Sequence, residues 1–427
     1  MDKALPLLYG FGYVFIVIPA LPPDEFGLLG IVEVIFYFIL AIDNGLVQTP
    51  MAKFVAENNF GSWAIAHGFV LSGSILLLFS IGCMAGGSVL VDLFKAPNLH
   101  SVLWSLPALL AGFYLKNLTA QICIARQWTG RLFLIDAIYF LGSLAILISL
   151  RIAGTLATAA QVILANVFTA LAASFAGLFA TWEVLQKSRW RIQFAEIVRF
   201  LTFGKYSFGA GLGAYLNAQL DVIFVAHFYG PVSVGIYRAG KIIYRLYNAF
   251  SQATQVVILP LASKLEAAQQ RDGLRVLFEK SIFFSYLIVV PLNFALLLGA
   301  AGIFSQLYSG RYDESVPVFR WLLVGAFLLP WGAIGINLLL GAGKPNLTFG
   351  ITWIVVAVYS LCSLVLVQSH GLQGAAVANV IGTMAGALLT TVFVKNLTGF
   401  TWRGIMRRFA DVSNFARRLW QSKKSNK

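Results

Sequence analysis

Two stretches of this chain, FGLLGIVEVIFYFILAIDNGLVQTPMAKF (residues 26–54) and VGIYRAGKIIYRLYNAFSQATQVVILPLASK (residues 234–264), are versions of one pattern set about 210 residues apart. Each enters through a glycine, runs through an apolar stretch and closes on a proline followed by small and basic residues, at Pro50 and Pro260. The correspondence continues downstream. RQWTGRLFLIDAIYFLGSLAILISL (126–150) precedes ILAN (163–166), and GKPNLTFGITWIVVAVYSLCSLVLV (343–367) precedes AVAN (376–379). A block of six apolar segments is used twice in the same orientation. That implies a pseudo-two-fold axis along a membrane normal, with two bundles flanking a central cavity.

Composition requires the membrane. Of 427 residues, 59% are hydrophobic, 11% are charged and 35 are Phe; mean hydropathy is +0.80. A soluble core cannot absorb that much apolar surface. Windows of about 20 apolar residues match the hydrocarbon thickness at 1.5 Å per residue. Spans are expected near 4–21, 28–50, 63–91, 100–123, 132–150, 158–181, 203–228, 235–260, 279–303, 318–340, 347–367 and 374–394. The expected fold is therefore an all-α membrane protein of twelve transmembrane helices in two pseudo-symmetric six-helix lobes around a central cavity. The lobes would be 1–182 and 203–394, joined by a basic cytoplasmic linker, 183–202, and followed by a basic amphipathic tail, 395–427. The first apolar run ends at LPPDEFG and not at a small-residue cleavage site, so it reads as a span and not as a signal peptide.

The net charge of +14 would raise the question of nucleic acid in a soluble protein. Here the position of the charges answers it. With the N-terminus inside, 22 of the 31 Lys and Arg residues fall in inner loops and termini, and three (Lys95, Arg151, Arg311) fall outside. Both termini are expected to be cytoplasmic. The tail, WRGIMRRFADVSNFARRLWQSKKSNK, alternates apolar and basic residues and reads either as a helix on an anionic leaflet or as a solvated basic segment.

Six cations remain inside spans: Lys116, Lys205, Arg238, Lys241, Arg245 and Arg320. At 100° per residue, Arg238, Lys241 and Arg245 share an arc of about 60°, which Asn248 and Gln252 extend. A Lys or Arg at the bilayer centre costs roughly 2.5–3.5 kcal/mol. The stripe must therefore face water, acids or an anionic ligand. Two readings stand: pairing with the buried acids Asp221 and Glu33, or a cavity that binds diphosphate through Arg238, Lys241, Arg245, Asn248, Gln252 and, lower down, Lys116. A sharper form places Glu33, the repeat counterpart of Lys241 when Gly27 is aligned with Gly235, opposite Lys241 in an outer gate. Glu33, Asp43, Asp136 and Asp221 are the candidates for gating or ion coupling. Asp43, in IDNGL, would hold a coupling ion or proton, or else bond locally to Asn44 or Gln48. Lys205 and Arg320 lie near span boundaries and read as interfacial anchors.

Other patterns carry no chemistry. GAGKPN lacks the first glycine and the Ser/Thr of a phosphate loop. His67, His100, His227 and His370 lack metal-ligand spacing, and Cys83, Cys123 and Cys362 are scattered in apolar surroundings. NLT occurs only within a span or on the inner side. GTMAG (382–386) reads as close helix packing. No metal, cofactor or catalytic constellation is expected.

LPPDEFG, IDNGL, LDVIFVAHFYGPVSVGIYRAGKI, VILPLASKL, SGRYDESVPVFR, LLLGAGKPN and HGLQGAAVANVIG together resemble the polysaccharide transporter, or O-antigen flippase, branch of the multidrug/oligosaccharidyl-lipid/polysaccharide exporter superfamily. The resemblance covers nearly the whole chain. One departure is that members often carry a basic residue near the outer end of the first span, where this chain reads VIPALPP. The resemblance implies translocation of an oligosaccharide linked to a polyprenyl diphosphate, typically undecaprenyl diphosphate, across a bacterial inner membrane by alternating access. The glycan would serve O-antigen, capsule or exopolysaccharide, with glycan polymerase or glycosyltransferases as partners besides membrane lipid. The alternatives are a multidrug exporter of the same superfamily, which would prefer an acidic or aromatic cavity, and a membrane glycosyltransferase or polymerase. For the last, SGRYDESVP is the one modest loop that offers acids.

Overall fold

The computed structural model of the protein describes residues 4–57, 62–188, 190–242 and 244–409; the side chains of residues 4, 62, 244–246 and 248–252 lie outside that description. All regular structure among the described residues is helical. Hydrocarbon offers the backbone no partner, and a helix satisfies its own N–H and C=O groups. The principal helices are α1 (Ala4–Gly12), α2 (Pro23–Asp43), α3 (Ser62–Ala85), α4 (Ser105–Ala125), α5 (Thr129–Ile152), α6 (Ala159–Gln186), α7 (Phe194–Lys241), α8 (Tyr244–Ala267), α9 (Arg271–Tyr308), α10 (Ser315–Ala326), α11 (Leu329–Gly341), α12 (Pro345–Thr398) and α13 (Trp402–Arg407). Eight helices among the described residues are long and apolar enough to cross a membrane, and α10 with α11, bent by 43°, makes a ninth candidate.

Prolines and glycines set the punctuation. Leu21 and Pro22 are extended, and Pro23 opens α2 at a position where its missing N–H costs nothing. Asp24 and Glu25 stand in the first turn, and Glu25 Oε2 accepts a 2.7 Å hydrogen bond from Ala159 N, which caps α6. Two π-helical segments, Tyr13–Val17 and Asn44–Gln48, each end two residues before a proline, Pro19 or Pro50. A proline withdraws one donor from the ladder, and the register shifts ahead of it. α7 and α12 are each two helices meeting at a glycine with positive φ, Gly230 (φ 75°) and Gly371 (φ 59°), a conformation that disfavours any side chain. Either side of Gly371 is longer than the roughly 20 residues a span needs.

The span expected over 235–260 is described in two parts, with Ile243 between them outside the described residues. α7 ends at Lys241 and α8 begins at Tyr244. α8 is not among the apolar span candidates. The same point borders two compact units, Met1–Ile242 with Ile303–Ser315 and Val367–Ala375, and Ile243–Gly302 with Val316–Leu366 and Ala376–Lys427.

In the first unit, α2 lies on α7 backbone to backbone. A Cβ at Gly27 would collide with the carbonyl of Pro231, and one at Gly235 with the carbonyl of Pro23. Pro23–Gly27 and Pro231–Gly235 occupy equivalent places in the two repeats, so each glycine seats the other repeat's proline carbonyl. Further along, Gly45 meets the backbone of Phe208, and Gly204 that of Leu46. Residues of the SGRYDESVP loop bolt on here. Tyr312 Oη donates to Leu21 O at 3.0 Å and Ser315 Oγ to Ile236 O at 2.6 Å. α4 and α6 also approach closely, with Ser174 Oγ donating to Gly112 O at 2.7 Å.

The second unit has its own core, including Ile258, Phe278, Trp331, Leu338 and Phe400. GTMAG packs as expected, since a Cβ at Gly382 would lie 3.1 Å from Tyr359 Cβ. Each unit holds a tyrosine–asparagine pair at matching places. Tyr139 Oη donates to Asn166 at 3.5 Å, and Asn379 donates to Tyr359 Oη at 3.1 Å. The start of the tail is docked: Arg408 donates twice to buried Glu279, at 3.2 and 2.6 Å, and Ile405 is buried. Residues 410–427, the rest of the expected amphipathic tail, lie outside the described residues.

Two outcomes follow for stability. Gly27→Ala and Gly235→Ala should each lower the thermal midpoint of the purified protein through overpacking of about 1–3 kcal/mol, whereas Gly350→Ala, with open space at its Cβ, should leave it level or raise it. Arg408→Ala strands the Glu279 carboxylate, a change of about 3–5 kcal/mol for a buried pair. Tryptic cleavage at Arg403 and Arg407 should accelerate markedly, and Glu279→Gln in the same chain should recover part of the loss.

Candidate functional site

Inside the first unit Arg238, Lys241 and Lys116 each face one acid. Arg238, on the last turns of α7, forms an ion pair through Nη2 with Glu33 of α2. Its Nη1 approaches Phe26 O at 3.4 Å, and its guanidinium lies 4.9 Å from the centre of the Phe26 ring. The stem crosses Gly30, where a Cβ would come within 2.5 Å of Arg238 Cδ. Glu33 uses its other oxygen to accept from Tyr13 Oη at 3.0 Å. Lys241, one turn on, bonds to Asp221 and to Ala218 O, each at 2.7 Å. Asp221 is fully buried and also accepts from Tyr237 Oη at 2.6 Å and Val222 N at 2.9 Å.

The opposition of Glu33 to Lys241 is thus corrected: Glu33 meets Arg238, and Lys241 meets Asp221. The Gly27–Pro231 and Gly235–Pro23 contacts fix a crossing, and equivalent positions on the two helices recede from it equally. Arg238 sits one turn nearer the crossing than Lys241 and has the longer reach. Lys241 lies at the helix end, where the carboxylate one helix back is the available acid.

Lys116 and Asp136 form a second buried pair at 3.0 Å. The ammonium also lies 5.0 Å from the Tyr139 ring centre and 5.7 Å from that of Phe113. The same cluster holds Tyr9, which donates to Asn166 at 2.7 Å. Asp43 is buried at the end of α2 and accepts from Gln48 Nε2 at 2.9 Å, which matches the local bond expected for it. The side chains of Arg245, Asn248 and Gln252 lie outside the described residues.

Sequence reasoning missed Tyr13 and Tyr237, whose hydroxyls orient Glu33 and Asp221, and Glu279, which holds the tail. A hydroxyl on an apolar ring leaves no charge signal, although Tyr237 adjoins Arg238. Glu279 sat at a span boundary, where an acid reads as solvated.

The chemistry on offer is charge exchange. Each cation rests against a single carboxylate in surroundings where an unpaired charge costs several kcal/mol. A group that brings comparable negative charge and several acceptor oxygens, as a phosphate does, can compete with that carboxylate.

A family model described as "Polysaccharide biosynthesis protein" matches residues 20–317. Among similar proteins, the "Probable low-salt glycan biosynthesis flippase Agl15" of Haloferax volcanii is 24% identical over 47% of this chain and 43% of its own length. The matches span between 37% and 51% of the length of the three curated relatives considered. The fold is shared with "Lipid II flippase MurJ, inward closed conformation" (13% identity, 95% of this chain and 87% of that one, TM-score 0.77). It is also shared with a multidrug resistance MATE family transporter of the MOP superfamily in its inward-facing conformation (16% identity, 92% and 94%, TM-score 0.74). A multi-pass membrane chain with most of its length matched by that family's model, this protein belongs to the polysaccharide biosynthesis protein family.

Proposed function

We propose that the protein is a flippase that moves an oligosaccharide, linked to a polyprenyl diphosphate, from the inner to the outer leaflet of a cytoplasmic membrane. Family membership and the flippase named among its relatives support this reading. The observation that carries it is the pairing of Arg238 with Glu33 and of Lys241 with Asp221 in the last turns of α7. Two cations on one face, each balanced by one acid, suit a ligand with two phosphates. In this reading the diphosphate takes the cations from their acids as the outer contact opens, while the polyprenyl chain stays in lipid.

The two repeats, 1–182 and 203–394, act as lobes of six helices each, and alternating access needs no covalent step. Both termini are cytoplasmic. The glycan is one destined for O-antigen, capsule or exopolysaccharide, and a polymerase or glycosyltransferases act before or after transfer.

The test is flipping of a labelled polyprenyl-diphosphate glycan by the purified protein in vesicles. Arg238→Ala and Lys241→Ala should each slow the initial rate at least about tenfold, as loss of one charge-assisted contact implies; Arg238→Lys should retain part of it. Glu33→Gln should tighten binding of the diphosphate lipid while slowing release. A double variant lacking both cations that flips at the parental rate would overturn the phosphate role.

A further inference from the structure

We infer that Lys53 and Arg199 form a binding site for the phosphate of an anionic phospholipid, at the end of the first compact unit remote from the Gly27 and Gly235 contacts. Three segments meet there: the short helix Thr49–Glu57, the start of α3 and the start of α7. They gather four rings, with Phe54 5.4 Å from both Trp63 and Phe200 and 5.9 Å from Phe203, centre to centre. Phe54 and Phe200 are buried, and Trp63 and Phe203 pack against the same core.

Two cations rest on this platform. Lys53 Nζ lies 4.1 Å from the centre of Phe203 and 5.6 Å from that of Phe54, and the Arg199 guanidinium lies 4.9 Å from Phe54 and 5.4 Å from Trp63. How their donors are used sets them apart from the deeper cations. Lys116, Lys241 and Arg408 bond to their acids at 3.0, 2.7 and 2.6 Å. The acids beside Lys53 and Arg199, Glu57 and Glu196, stand one turn away on the same helices at 3.6 and 3.8 Å, beyond hydrogen-bond range. Pairs of that kind hold weakly, and the two cationic side chains are 41% and 51% exposed.

The platform is anchored by a histidine. Gln193 N donates to His67 Nε2 at 3.0 Å, and His67 Nδ1 donates to Trp63 O at 2.7 Å. The buried imidazole thereby pins the residue that opens α7 onto α3, and it stacks on Phe200 with the ring planes 25° apart. The rings under Lys53 and Arg199 are held in place before any ligand arrives.

Location and chemistry select the ligand. Tyr206, two turns from Arg199 along the same face of α7, is 71% exposed, and Lys205 Nζ lies 5.1 Å from its ring centre. Exposed amphipathic rings beside long lysines belong at the headgroup level of a membrane. A guanidinium fork with an ammonium near it matches a phosphate, whose oxygens take bonds from both. Two like charges gathered on one ring repel, and a headgroup of net negative charge offsets that repulsion where a zwitterionic one does not.

Native mass spectrometry of the full chain in detergent, titrated with dioleoylphosphatidylglycerol and with no glycan lipid present, tests the site. A first adduct tighter than that of zwitterionic dioleoylphosphatidylcholine is expected, and Lys53→Gln with Arg199→Gln in one chain should weaken it about tenfold. Phe203→Leu, which keeps both charges, should weaken it about threefold. Lys264→Gln, which removes an exposed cation of the second unit, should leave it unchanged. Equal phosphatidylglycerol affinity in the parent and the double variant would overturn the inference, as would an equal loss in Lys264→Gln, the mark of diffuse attraction. Undecaprenyl diphosphate binding that responds to the double variant, with phosphatidylglycerol binding that does not, would also overturn it and give the cations to the diphosphate lipid. None of these results decides whether the chain flips a glycan, so failure of this site and failure of the flippase reading are separable.

Discussion

Helices α2 and α7 touch through their backbones because Gly27 and Gly235 have no side chain to hold them apart, and the charge pairing at this end of the unit depends on that contact. Close approach of this kind lets carbonyls face Cα–H groups and places the following turns within side-chain reach. Arg238 spans from one helix to the other only because Gly30 leaves room for its stem. A larger residue at Gly27 or Gly235 would remove more than packing, since it would also pull Glu33 away from Arg238. The contact is reciprocal, proline carbonyl on glycine in both directions, with the same Pro-to-Gly spacing on each helix.

The apolar medium then dictates how the charges are handled. A cation inside a membrane must reach water, an acid or a ligand. In the first unit Arg238, Lys241 and Lys116 each reach an acid, and tyrosine hydroxyls satisfy the acid oxygens left over at Glu33 and Asp221. Pairs of this kind add little net stability, because desolvation offsets attraction. In the proposed function their value lies in being exchangeable, since a pair close to break-even is one that a diphosphate can open. Glu279 with Arg408 follows the same logic for a different end, fixing the start of the tail to α9.

Much of this was legible in the sequence. Apolar windows, the duplicated pattern and the resemblance carried the membrane class and the family, and burial cost alone marked Arg238, Lys241, Glu33 and Asp221 as residues with partners to find. Which partner each would take was not legible. Periodicity gives the face of a helix but not the point where two helices cross, and that point moved Glu33 from Lys241 to Arg238. The π-segments were invisible because a shift of one residue leaves composition unchanged.

The two stretches differ in charge at equivalent positions. Gly27 and Gly235 kept their role, and so did the tyrosine–asparagine pairs Tyr139–Asn166 and Tyr359–Asn379. Six residues past each glycine, however, the first repeat carries Glu33 and the second Lys241. A symmetric pair of lysines would repel across the crossing, and a symmetric pair of glutamates would reject phosphate. With Glu33 on Arg238 and Asp221 on Lys241, each of the two cations near the crossing is balanced by one acid. In the proposed function, it is the loss of symmetry at these positions that gives the site a preference for an anionic ligand.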